Sequence, residues 1–177
     1  MRNILIVVDM QNDFVTGALA SNDAQAILPK VKEKIEAYDR AGKEIIFTRD
    51  THGEDYMLTN EGKHLPVPHC IKGTDGWQIC GELTDGIASE YKTVDKPTFG
   101  FLGWKDVLAS ETADGSDLDI EMIGVCTDIC VVSNALLLKA LYPEATVRVD
   151  AGCCAGVTPE AHEAALATMR SCQVEVI

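Results

Sequence analysis

Ile4-Leu5-Ile6-Val7-Val8-Asp9 sets five apolar residues in a row and ends them on a carboxylate. A run with no polar alternation predicts a strand buried on both faces, the kind that belongs to a parallel sheet. Next to it, Asp23 to Ala41 repeats apolar residues at Ala24, Ile27, Leu28, Val31, Ile35 and Tyr38. That is the spacing of a helix with one buried stripe, and Gly42 stands where it would stop. Further strands are predicted at Glu44 to Arg49, Glu90 to Val94, Ile120 to Val125, Thr146 to Val149 and Val174 to Ile177. Helices are expected at Trp104 to Ala109, at Thr127 to Leu141, and from Thr158-Pro159, with Thr158 as cap and Pro159 at the first helical position. Strands alternating with helices predict an α/β fold, a parallel sheet covered on both faces and joined by right-handed crossovers. No repeat or linker interrupts residues 1–177, so one domain is expected.

Composition narrows the partners. A formal charge of −13 argues against nucleic acid and anionic membrane surfaces, leaving small ligands. The apolar run before Asp9 is too short for a secretory signal, and none approaches the roughly 20 residues of a spanning helix. A cytoplasmic location is therefore expected. Seven cysteines, with Cys153 and Cys154 adjacent, suit no disulfide framework. Most of them read as small buried side chains.

Chemistry collects at the carboxyl ends of the predicted strands, where open α/β sheets bind ligands. The first strand ends in Asp9, the second in Asp50 and the third in Lys96, while the fourth leads to Cys130. A turn-capping aspartate and a solvated lysine would explain two of these singly. Together, a buried Asp9 suits a general base, and Lys96 could hold it and favour a nearby thiolate. Thr127 or Asp128 is expected to cap a helix, placing Cys130 in or near its first turn, where free N–H groups and the dipole favour a thiolate. Asp50 and His52 share a face of an extended segment, and His69 follows in the Gly- and Pro-rich stretch from Asp50 to Lys72. Two imidazoles and a carboxylate make a divalent-metal set with open positions, to which Glu61 or His64 could add a ligand. Ordinary loop polars are the alternative.

Five segments, in order, carry a resemblance over almost the full chain. They are Asp9-Met10-Gln11-Asn12-Asp13-Phe14, Thr48-Arg49-Asp50-Thr51-His52, Pro68-His69-Cys70 with Gly73-Thr74-Asp75-Gly76, Lys96 with Phe99, and Gly124-Val125-Cys126-Thr127-Asp128-Ile129-Cys130. With these the chain resembles the isochorismatase-like cysteine hydrolases, the nicotinamidase/pyrazinamidase-like members in particular. The resemblance implies a three-layer α/β/α sandwich around a six-stranded parallel sheet, and a catalytic triad of Asp9, Lys96 and Cys130. It also implies a cis peptide before Cys126, with the N–H groups of Cys126 and Cys130 forming an oxyanion hole. Asp50, His52 and His69, with Glu61 added in some members, would bind a divalent metal, zinc first, with manganese or iron as alternatives. Phe14, Trp77 and Phe99 would wall the ring pocket, and relatives often form homo-oligomers. Thr51 stands where the family usually has Trp, Gly53-Glu54-Asp55-Tyr56 replaces its Asn/His-x-Ser-Phe part, and Ile129 stands where Tyr is frequent. These positions border the pocket and leave the amide open.

The implied activity is metal-assisted hydrolysis of nicotinamide to nicotinate and ammonia. The rival within the family is hydrolysis of another small amide or ureide, by members that commonly lack the metal set. Isochorismatase proper fits less well, since its enol-ether chemistry needs no cysteine. A non-catalytic binding or thiol-redox module is the reading from another class, and it leaves Asp9 and Lys96 without purpose beside a thiol.

Overall fold

Alternation along β1 (Arg2–Val8) divides the protein in two. Ile4, Ile6 and Val8 enter one core and Leu5 and Val7 the other, all fully buried. Each such side chain contributes about 1.5–3 kcal/mol on burial, so a strand of this composition is stable only between two layers. The computed structural model describes residues 1–177 and supplies both layers.

The six strands are β1, β2 (Glu44–Asp50), β3 (Lys92–Lys96), β4 (Leu118–Val125), β5 (Thr146–Ala155) and β6 (Glu175–Val176). They form one all-parallel sheet in the order β3-β2-β1-β4-β5-β6. Helix α1 (Asn22–Arg40) covers one face through Ala24, Ile27, Val31, Ile35 and Tyr38, and Ser21 Oγ caps it by accepting the Ala24 N–H. The short α2 (Asn60–His64) lies in the stretch after β2 and is capped by Thr59. The other face is covered by α3 (Trp104–Leu108), α4 (Val132–Leu141) and α5 (Pro159–Ser171), which bury Trp104, Leu138 and Met169. No helix is long and apolar enough to cross a membrane.

The order in which strands are laid down reverses between the parallel neighbours β1 and β4, where one crossover leaves toward β2 and the other arrives from β3. That switch point opens a crevice beyond the strand ends. Asp9 follows β1 and the Cys126–Cys130 turn follows β4, so both face it.

Several boundaries differ from the sequence reading. The third strand runs Lys92–Lys96, not Glu90 to Val94, because pairing with β2 sets Lys96 opposite Asp50. The fifth continues past Val149: after a register shift, Cys154 and Ala155 rejoin β4 opposite Gly124 and Val125. Asp150 to Gly152, beyond the expected end of the strand, pass through an irregularity of a continuing one. The sixth is shortened to Glu175–Val176 at the sheet edge.

Gly124 is fixed by close approach. Its φ is +116°, and a Cβ there would lie 2.1 Å from the Val8 carbonyl oxygen. Gly124→Ala is expected to cost about 3 kcal/mol or more, from strain added to a backbone clash, measured by urea unfolding.

Candidate active site

Asp9 is the first residue past β1, fully buried and in the left-handed region at φ 49°. A non-glycine residue held there stores strain, of a kind that gathers at functional sites. Its Oδ1 accepts from Thr48 Oγ1 at 2.6 Å, and its Oδ2 faces Lys96 Nζ at 2.6 Å and accepts no other hydrogen bond. Lys96 is also fully buried, with Nζ 3.3 Å from Cys130 Sγ. The ammonium therefore bridges carboxylate and sulfur. Burial raises the Asp9 pKa and outweighs Lys96 and Thr48, which lower it. Burial disfavours the Lys96 cation, but Asp9 reverses that and keeps the lysine charged.

Cys130 departs from the sequence expectation in one respect. Neither Thr127 nor Asp128 caps a helix, but Cys130 does lie in the opening turn of the helical segment, a π turn over Thr127–Val131 that runs straight into α4. Val131 N–H reaches back to Cys126 O at 3.1 Å, five residues away, so a wide turn precedes α4. Thr127 Oγ1 instead pairs with His162 Nδ1 at 2.8 Å, and Asp128 Oδ1 accepts the Val157 N–H at 2.9 Å. Nor is a resting thiolate favoured. Burial, and then the Asp9 charge, push the Cys130 pKa well up against the pull of Lys96. The proton stays on sulfur until a base removes it, and the adjacent carboxylate is the base available. The Val125–Cys126 peptide is cis.

Asp50, at the end of β2, gathers the second cluster. Its Oδ2 lies 2.9 Å from His52 Nε2 and 3.3 Å from His69 Nε2. Glu61 Oε1, from the first turn of α2, is 3.6 Å and 3.7 Å from the same two nitrogens. His69 Nδ1 sits 2.8 Å from the Val67 carbonyl, which fixes the proton there and turns the Nε2 lone pair to the cluster. Asp50 Oδ1 is buried with no hydrogen-bond partner. One ligand atom from each of the four residues falls within 4.8 Å of the others. Two imidazoles and two carboxylates, one with a buried oxygen that accepts no hydrogen bond and has the Lys96 ammonium 3.6 Å away, fit a divalent cation. His64 stands apart, its Nδ1 2.8 Å from the Asn60 carbonyl.

A cavity of about 460 Å³ joins the clusters, lined by Asp50, Glu61 and His69 on one side and Cys126 and Cys130 on another. Phe14 and Phe99 line it as expected, Phe14 packing edge-on to His69 with centroids 5.7 Å apart. Trp77 does not line it, which corrects the sequence reading. Its indole lies under the Arg49 guanidinium at 3.6 Å, and Nε1 donates to Thr51 Oγ1 at 2.8 Å. It braces the outer side of the segment bearing His52.

Three buried polar residues carry roles that sequence reasoning missed. Gln11 Nε2 donates to the Asp50 and Trp77 carbonyls, each at 2.9 Å, and Oε1 accepts the Asp50 N–H at 2.7 Å. Thr48 supports Asp9 as described. Asn134, one turn beyond Cys130, uses its whole hydrogen-bonding capacity. Nδ2 donates to the Phe99 and Cys130 carbonyls, while Oδ1 accepts from Phe101 N–H and Trp104 Nε1. It ties the segment after Lys96 to the cysteine turn. Gln11 and Thr48 fall within the quoted motifs, but nothing local in the sequence marks Asn134. Asn134→Ala is expected to lower kcat/KM about 100-fold, mostly in kcat, through misplacement of Cys130. An activity loss no larger than the unfolded fraction would contradict this.

The architecture is that of the isochorismatase-like hydrolases. The chain belongs to the isochorismatase family, whose Isochorismatase domain model matches residues 3–177. The nicotinamidase/pyrazinamidase of Mycobacterium tuberculosis is 28% identical over 191 residues, covering 98% of this chain and 97% of that protein. The crystal structure of nicotinamidase/pyrazinamidase PncA from Bacillus subtilis superposes with a TM-score of 0.84 at 25% identity, covering 99% of each chain. The pyrazinamidase of Pyrococcus horikoshii, in complex with zinc, gives 0.82 at 26% identity, covering 100% of this chain and 99% of that one.

Proposed function

We propose that this isochorismatase-family amide hydrolase converts nicotinamide to nicotinate and ammonia, through a thioester on Cys130 and with a divalent metal at the Asp50 cluster. The observation that carries it is one cavity lined both by Cys130, which the buried Asp9–Lys96 pair backs, and by Asp50, Glu61 and His69 of the four-residue cluster. Nicotinamide has the matching halves, a ring nitrogen to ligate and a carboxamide to attack.

Cys130 Sγ attacks the amide carbon as its proton passes to Asp9. The N–H groups of Cys126 and Cys130 take the charge developing on the carbonyl oxygen. Asp9 returns the proton to the departing nitrogen, and ammonia leaves. Asp9 then deprotonates a water that cleaves the thioester, freeing nicotinate and restoring the thiol. Lys96 stays charged and holds Asp9 in register with the sulfur. Phe14 and Phe99 enclose the ring.

Asp50, His52, Glu61 and His69 would hold the metal, which when bound supplies a Lewis acid for the pyridine nitrogen. Zinc suits two imidazoles with carboxylates, and the zinc complex of the archaeal pyrazinamidase supports it; manganese and iron tolerate the same donors. Purified protein is expected to release ammonia from nicotinamide, to lose at least about 90% of that rate on chelation, and to recover it with added metal. No turnover of nicotinamide or pyrazinamide would overturn the substrate and leave another small amide.

A further inference from the structure

The cavity above Cys130 is larger than a single-ring amide fills. Its volume of about 460 Å³ falls within the roughly 300–1,000 Å³ typical of sites that enclose drug-sized ligands. On the reading above, two walls are committed, one to the Asp50 cluster and one to the cysteine turn. The third is built from Ala18 and Leu19 before α1 and Ala24 in its first turn, and from Ala155 at the end of β5 with Gly156 and Val157 after it. It offers no charged side chain, and its hydroxyl, Ser21 Oγ, accepts the Ala24 N–H. Around the opening, large apolar side chains stand in water: Leu65 is 38% exposed, Phe99 44% and Val157 60%. Exposed apolar groups converging on one opening mark a surface completed by an apolar ligand.

Ring geometry says which part of the ligand completes it. With the ring nitrogen at the metal cluster and the carboxamide at Cys130, the ring carbon meta to both points at neither. In that placement the alanine-rich wall is the one left for it. We propose that the preferred substrate is a nicotinamide-type carboxamide bearing an uncharged apolar substituent at that carbon, seated between the alanine-rich wall and the Leu65–Phe99–Val157 rim. This rests on the pyridine-carboxamide reading and extends it to the substrate class.

The test compares ammonia release from nicotinamide and 5-propylnicotinamide by the unmodified protein and by Val157→Asp, whose side chain stands largely in solvent. The propyl compound is expected to show at least about tenfold higher kcat/KM, mainly through KM, as burial of three alkyl carbons predicts. Val157→Asp should bring the ratio of the two substrates toward one. Turnover of nicotinamide with no gain for the propyl compound would overturn this inference and leave the nicotinamide reading standing. So would a ratio untouched by Val157→Asp. Failure of both compounds would overturn the pyridine-carboxamide reading, and this inference with it.

Discussion

Lys96→Met is expected to destabilise the protein by about 3–5 kcal/mol and to abolish turnover, because it strands a buried carboxylate. Asp9 and Lys96 are both fully buried, with Oδ2 and Nζ 2.6 Å apart. Without the ammonium, Asp9 must ionise in an apolar setting or take up a proton, and either outcome costs folding energy. The Asp9→Asn/Lys96→Met double variant removes both charges and should regain most of the stability in urea unfolding. It should regain no activity, since base and bridge are both gone. Equal stability of the single variant and the parent would show that the pair is not coupled as described.

The second large effect is on chemistry alone. Cys130→Ala should lower ammonia release by at least about 10⁴-fold while unfolding near the parent's midpoint, because a nucleophile has no substitute within the cluster. Cys80→Ala, in the opposite core, should keep activity within about threefold. A loss for Cys130→Ala no greater than that for Cys80→Ala would remove the nucleophile assignment. Cys130 is otherwise one of seven unpaired cysteines, five of them buried.

Much of the framework is legible in Ile4 to Asp9, because five apolar residues ending on a carboxylate have few stable placements. The strand ends then bring Asp9, Asp50, Lys96 and the Cys130 turn to one edge without any knowledge of contacts. Failures came where a hydrogen bond or two, or one partner, decide. The wide turn before α4 differs from an ordinary helix start by two backbone bonds that each span five residues, Val131 N–H to Cys126 O and Val132 N–H to Thr127 O, and Thr127 satisfies its hydroxyl on His162 instead. Trp77 lies close in sequence to His69 but faces Arg49, a choice set by tertiary packing. Asn134 joins Phe99 to Cys130 across a sequence gap of more than thirty residues, which no local pattern reports. The protonated resting thiol is not legible either, since burial raises the Cys130 pKa against the lysine's pull and burial of a side chain is a property of the assembled fold.

Acyl trapping with hydroxylamine tests the central claim most directly, since a thioester on Cys130 must partition between water and any better nucleophile. Turnover of nicotinamide in the presence of hydroxylamine is expected to yield the nicotinyl hydroxamate at the expense of nicotinate, and Cys130→Ala should yield neither. Nicotinate alone at an unchanged rate, or hydroxamate still formed by Cys130→Ala, would contradict a covalent intermediate on this cysteine.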